Sequence, residues 1–248
     1  MKSLLEYICE TIGSKELDAG MDVSEISIEE FENILFEDVN FEGTGSYSPI
    51  FHEADVKRFR NWMGIVEGTT RFYKMSYSGV TLGIFSLFYL KDIAKLNKYS
   101  RRIFTELFYV IEDYENKNLY ESKPLNLKTY TNAFDLSEEE KRRIMSRMEK
   151  SVYIPYLHIS SKAKDTAGVS QIAVIKYFYG MLLDMLKKEG ISTICAIGCD
   201  TEKSDKYVKL GGFINLTDFI KDKYRGNASG DKLNDLIYKA SGFVYKRI

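Results

Sequence analysis

The chain has 248 residues, 44% of them hydrophobic and 29% charged, which provides for a substantial core and excludes a disordered polymer. Its 35 basic and 36 acidic side chains leave a formal net charge of −1, which argues against a general polyanion binder, and no nucleic-acid motif is visible. Cys9, Cys195 and Cys199 are too few and too irregularly spaced for a disulfide framework or a typical zinc site, so no metal is expected.

Residues 1–20 read as helical, with Leu4, Leu5, Ile8 and Ile12 at helical spacing before Gly13. The run Met1 to Glu6 lacks an uninterrupted apolar signal core. Asp22–Phe36 is expected to form a second short amphipathic helix, with Ser27 capping Ile28-Glu29-Glu30-Phe31. Asn40–Pro49 reads as a loop, and His52–Met63 as a further helix carrying the one tryptophan, Trp62. Arg71–Tyr77, Ser78-Gly79 and Val80–Leu90 predict a hairpin, because two β-rich runs flank a two-residue turn whose glycine tolerates positive φ. That last stretch holds the longest apolar run and is too short to span a bilayer, so a soluble cytoplasmic protein is expected.

Tyr99–Tyr114 fits a helix through Ile103, Leu107, Val110, Ile111 and Tyr114, although its aromatic and β-branched content also suits a strand. Ser137–Lys150 predicts a helix, capped by Asp135 or Ser137 and opening on Glu138-Glu139-Glu140. Val152–Ser160 is strand-like, with Val152, Ile154, Tyr156 and His158 on one face and Tyr153, Leu157 and Ile159 on the other. Pro155 lacks an N–H, which suggests a bulge or a locally unpaired position. Ile172, Ile175, Tyr179, Leu182, Leu183 and Leu186 repeat at helical spacing up to Gly190. A short buried strand over Ile191–Gly198 and a helix over Lys203–Leu210 follow, the latter stopped by Gly211-Gly212. Phe213–Leu216 and Gly242–Ile248 are the remaining strands. Cys195 and Cys199 fall on or at the end of a strand, where buried cysteine is common. The mixed order of elements predicts the α/β class.

The stretch Lys164 to Phe213 presents a turn, a long helix, a strand and a second helix, so that backbone amides at a helix N-terminus can meet an anion. Its order and ending, with the preceding hairpin and strand, resemble the GNAT superfamily of N-acetyltransferases over about Phe72–Leu90 and Val152–Phe213. The family turn [Gln/Arg]-x-x-Gly-x-[Gly/Ala] corresponds to Asp165-Thr166-Ala167-Gly168-Val169-Ser170, with Asp at the first place; a register starting at Lys164 keeps a basic residue and loses the glycine. The pattern Asn-x-x-(small)-x-x-x-Tyr-x-x-Leu-Gly-Phe corresponds to Asp200, Lys203 or Ser204, Tyr207, Leu210 and Gly211, with one extra glycine before Phe213.

This resemblance implies a GNAT-like α/β fold: a mixed, mostly antiparallel twisted sheet flanked by helices, with splayed parallel strands beside Gly168. Residues 1–59 would form a helical segment packing on a main domain over 60–248, with an insertion at about 91–150. The implied activity is acyl transfer, acetyl in the first instance, from acyl-CoA to an amine by direct attack. Amides of Gly168, Val169 and Ser170 would hold the pyrophosphate, with Ile159, Lys164 and Asp200 as further cofactor contacts. Tyr207 would protonate the departing thiolate, and His158 or a water would take the amine proton.

Each role has a plainer counterpart. Tyr207 can anchor a surface helix, His158 can be structural, and Lys162 and Lys164 can be solvated. His52 with Glu53 lies outside the matched region, and Tyr177, Phe178 and Tyr179 read as core and flank. The acceptor would be a small-molecule or peptide amine, with no nucleic acid and no membrane span; the oligomeric state stays open. Aromatics concentrated in Arg71–Tyr120 leave room for an N-acyl amino acid or acyl-homoserine lactone synthase-like enzyme with a long acyl chain. A GNAT-shaped binding or regulatory protein without catalysis is the third reading.

Overall fold

The computed structural model describes residues 20–37, 68–116, 135–160, 171–197, 207–224 and 230–248. Seven strands form one sheet in the order β1-β2-β3-β4-β5-β7-β6. The chain divides into two compact units, Met1–Phe88 with Ile154–Leu186, and Tyr89–Tyr153 with Lys187–Ile248. The mixed α/β class, with helices flanking a mostly antiparallel sheet, is as the sequence predicts.

In the first unit, β1 (Met21–Ile26) precedes α1 (Ile28–Glu37), and β2 (Thr70–Tyr77) and β3 (Val80–Tyr89) form the expected hairpin. Ser78 and Gly79 both have positive φ, 50° and 82°, the backbone that matches a two-residue turn to the right-handed twist of its strands. One expectation is corrected. Met21–Ile26 is a strand, not the start of a helix, and pairs antiparallel with β2 from Met21↔Tyr77 to Ile26↔Phe72. Six residues with a ready ladder partner find their hydrogen bonds across the sheet, a tertiary gain that local spacing does not reveal. The helix begins where its cap lies, with the Glu30 N–H donating to Ser27 Oγ at 3.1 Å.

Alternation along the hairpin gives this part of the sheet two buried faces. Phe72, Ile84 and Tyr156 pack with Phe31, Ile34 and Leu35 of α1, the Phe31 ring lying 4.9 Å from Phe72 and 5.6 Å from Tyr156. The next residues face the other way: Phe85 stacks on Tyr73 at 4.8 Å and meets Phe178 of α4 (Gln171–Lys188) at 4.9 Å. Burying one such ring is worth about 2 kcal/mol, so these rings contribute substantially to holding both helices. Between β2 and β3 the register shifts after Met75↔Gly83 to Ser76↔Thr81, leaving Leu82 unmatched. The Leu82 carbonyl accepts from the Ser160 N–H at 2.8 Å, so the start of β3 meets the end of β4 (Ser151–Ile159) and the two strands run antiparallel.

In the second unit, a 3₁₀ turn (Leu90–Lys95) leads to α2 (Lys98–Glu115), whose cap Asn97 Oδ1 accepts from the Ser100 N–H at 2.9 Å. The helical reading of this ambiguous stretch holds. Helix α3 (Glu138–Glu149) opens on a full capping box between Ser137 and Glu140. Then come β5 (Thr193–Ile197), helical residues 207–211, β6 (Ile214–Asn215), α5 (Thr217–Tyr224), α6 (Gly230–Ser241) and β7 (Phe243–Arg247). β7 pairs antiparallel with both β5 and β6.

The pairing of β4 with β5 differs. The Ser192 N–H donates to the Lys150 carbonyl at 2.8 Å, and Cys195 Sγ approaches the Val152 carbonyl at 3.5 Å. Residue numbers rise together, so these strands run parallel, as a strand–helix–strand crossover through α4 allows. β4 continues as a strand through Pro155.

Candidate functional site

Two groups of candidate residues are described, one in each unit. In the first, Ile154 and Tyr156 are buried in the predicted alternation along β4, and His158 is half-buried. Tyr156 packs under α1, whereas Ile159 Cγ1 lies 3.4 Å from where a Gly83 Cβ would stand, toward Met75 on the other face. Three residues apart on opposite faces is regular strand geometry, which sets His158 on the same side as Tyr156 and α1. Ile159 is buried. Helix α4 begins at Gln171, the residue after Ser170, and has no acidic residue in its first turn. In this it differs from α1, α3 and α5, whose first turns carry Glu29 and Glu30, Glu138 to Glu140, and Asp218. The N-terminal dipole of α4 therefore meets no carboxylate of its own first turn. Lys162, Lys164, Gly168, Val169, Ser170, Asp200, Lys203 and Ser204 lie outside the described residues, as do His52, Cys9 and Cys199.

In the second unit, Tyr207 opens the described helical stretch 207–211. The Phe213 N–H donates to the Tyr207 carbonyl at 3.3 Å and the Gly212 N–H to the Val208 carbonyl at 3.2 Å, with Gly212 at φ +65°. The second is the 5→1 bond of an αL cap, and the apolar contact that accompanies such helix ends is present: the Tyr207 and Phe213 rings meet edge to face at 5.3 Å. The predicted glycine stop is thus observed, with the left-handed position falling on Gly212. Spacing from Leu210 and Gly211 gives Tyr207 the tyrosine's place in the family pattern, whereas counting four back from the Gly212-Phe213 pair reaches Val208. Only the first of these carries a phenol.

Sequence reasoning did not single out Lys246. Its Nζ donates to the Gly211 carbonyl at 2.6 Å, at the negative end of the helix. The pairing Ile214↔Tyr245 brings it there from the far end of the chain. Cys195 is no nucleophile: its side chain is fully buried, and burial pushes its thiol far above the ordinary value. Among the described residues, no group of three or more His, Cys, Asp or Glu side chains could hold a metal ion. No helix among them is long and apolar enough to cross a membrane.

No family model and no curated protein matches the chain. Among solved structures, a KacTA–DNA complex is similar at 12% identity, covering 92% of this chain and 92% of that one, with a TM-score of 0.37. A chimera of the spermidine N-acetyltransferase SpeG from Vibrio cholerae and hSSAT is similar at 8% identity over 79% and 81%, with a TM-score of 0.36. A mutant AtaT toxin bound to the C-terminus of the antitoxin AtaR and acetyl-CoA is similar at 10% identity over 92% and 93%, with a TM-score of 0.37. Identities and scores are both low, so the fold assignment stands on this chain's own strand order and pairing.

Proposed function

We propose that the chain is an acyl-CoA-dependent N-acyltransferase. One observation carries the reading: a parallel β4–α4–β5 crossover within a mostly antiparallel sheet, followed by the Tyr207-to-Phe213 cap. That is the order of elements the GNAT resemblance implies. The start of α4 suits a diphosphate, since its first turn brings amides and no competing carboxylate. The amides of Gly168, Val169 and Ser170 would hold the pyrophosphate without needing a basic side chain, with Ile159, Lys164 and Asp200 as further contacts. The acceptor amine, of a small molecule or a peptide, attacks the thioester carbonyl and forms the C–N bond as the C–S bond breaks. His158 or a water takes the proton that the amine sheds, and Tyr207 gives one to the departing sulfur.

The long-chain synthase reading has less to rest on. The aromatics that motivate it, including Phe72, Tyr73, Phe85, Phe88, Phe104, Phe108 and Tyr109, are buried and packed within the protein. Thermal shift with acetyl-CoA and with longer acyl-CoAs separates these readings. Saturation at about 100 times Kd adds about 2.7 kcal/mol and raises Tm by several degrees. No response to any acyl-CoA would sink the transferase reading, and a response confined to long chains would favour the synthase.

A further inference from the structure

We propose that Lys246 is a positioning residue for Tyr207, an inference that rests on the acid role given to Tyr207 above. The helix carrying Tyr207 ends at Gly211, and only Gly212 and Phe213 separate it from β6. The last turn of a helix has carbonyls without intrahelical partners, so this end must be held by its surroundings. Two attachments do this. The cap folds Phe213 back onto the Tyr207 ring at 5.3 Å. Lys246, on β7 opposite Ile194 of β5, sends its ammonium to the Gly211 carbonyl at 2.6 Å. Among the described residues that carbonyl is the one hydrogen-bond or ion-pair partner of the ammonium. A lysine used for solubility would keep its charge in water; this one neutralises a helix C-terminus and ties it to the β5–β7 pair. The bond sets where the first described residue of the helix, Tyr207, stands relative to the sheet.

The test combines Lys246→Met, Lys246→Arg, Tyr207→Phe and the double variant Tyr207→Phe/Lys246→Met. CoA thiol release from acetyl-CoA would be followed with spermidine, free amino acids and a peptide with a free N-terminus as acceptors. Displacing a reacting group by a fraction of an ångström is costly, so Lys246→Met should lower kcat about tenfold or more with unchanged acetyl-CoA affinity. Lys246→Arg should restore most of the loss, and Lys246→Met should add nothing once Tyr207 is Phe. Amide hydrogen exchange at Gly212 and Phe213 should quicken in Lys246→Met while the β5–β7 ladder stays protected. Additive losses, or unchanged exchange at the cap, would overturn the inference alone. Full turnover in Tyr207→Phe would instead remove Tyr207 from the mechanism, and the role of Lys246 with it.

Discussion

Gly83 shows how closely single atoms constrain the candidate site. A Cβ there would stand 2.5 Å from Met75 Cε and 3.0 Å from the His158 carbonyl oxygen. The methionine can swing aside, but a carbonyl in a paired strand cannot, so Gly83→Ala should cost about 1–3 kcal/mol and press on the strand that carries His158. Urea denaturation measures this, and an unchanged midpoint would mean that β4 yields freely. Buried acids and phenols give a second prediction at the same scale. Burial, then the hydrogen bond to Asp113, holds the Tyr224 phenol far above its ordinary 10.0; burial alone raises the Cys195 thiol above 9.0. Tyr245 is raised by burial first and the nearby Glu115 carboxylate second. The folded chain keeps these protons where the unfolded chain releases them, so above those ordinary values the native state binds more protons and stability falls as pH rises. Tm should be insensitive to these groups below about pH 9 and decline above it. A Tm that holds from about pH 9 to 11 would contradict the assignment. Residue types alone foretold the glycine stop after Tyr207, but not that Gly212 takes the positive φ, nor that Lys246 reaches it.

At the level of elements, α2 is held by more than its apolar stripe. Glu106, Glu112 and Asp113 are buried on it alongside Leu107, Phe108 and Tyr109. Each acid has a partner on another helix: Lys239 of α6 lies 2.8 Å from Glu106, Arg143 of α3 lies 3.8 Å from Glu112, and Lys223 and Tyr224 of α5 both reach Asp113. Glu115, at the end of α2, takes two bonds from Arg147 of α3 at 2.8 and 2.9 Å. Removing Lys239 leaves the buried Glu106 with only the more distant Arg102, at 3.8 Å, to compensate its charge. Lys239→Met should therefore destabilise the chain by about 3–5 kcal/mol, whereas Glu106→Gln/Lys239→Met should recover much of that loss. Equal losses in the single and double variants would show that packing, not charge, is what Lys239 contributes. These partnerships also explain what the sequence hides. Helices α5 and α6 carry only a few apolar positions, among them Ile220, Tyr224, Leu236 and Ala240, set among charges such as Lys239 that are themselves buried. Spacing rules count Lys239 as surface, and only its partner on α2 says otherwise. Strand β1 is hidden in the sequence for the related reason that its partner, β2, lies more than forty residues away across the 38–67 stretch.

For the molecule as a whole, the elements that follow strong local signals were legible: the hairpin through Ser78-Gly79, α3 through Ser137 and its three glutamates, and α4 through its apolar repeat and Gly190. The strand order was not, because pairing between distant segments has no local signature. The candidate site was legible only in part. The ending at Tyr207 to Phe213 follows the family spacing with one glycine added, whereas the turn Asp165 to Ser170 departs from it at the first place. The central claim is that an acyl-CoA sits with its pyrophosphate at the start of α4. Hydrogen exchange with and without saturating acetyl-CoA tests it most directly. Slowed exchange centred on the amides of residues 164–172 is the predicted result. No protection, or protection centred on a different element such as α6, would contradict it.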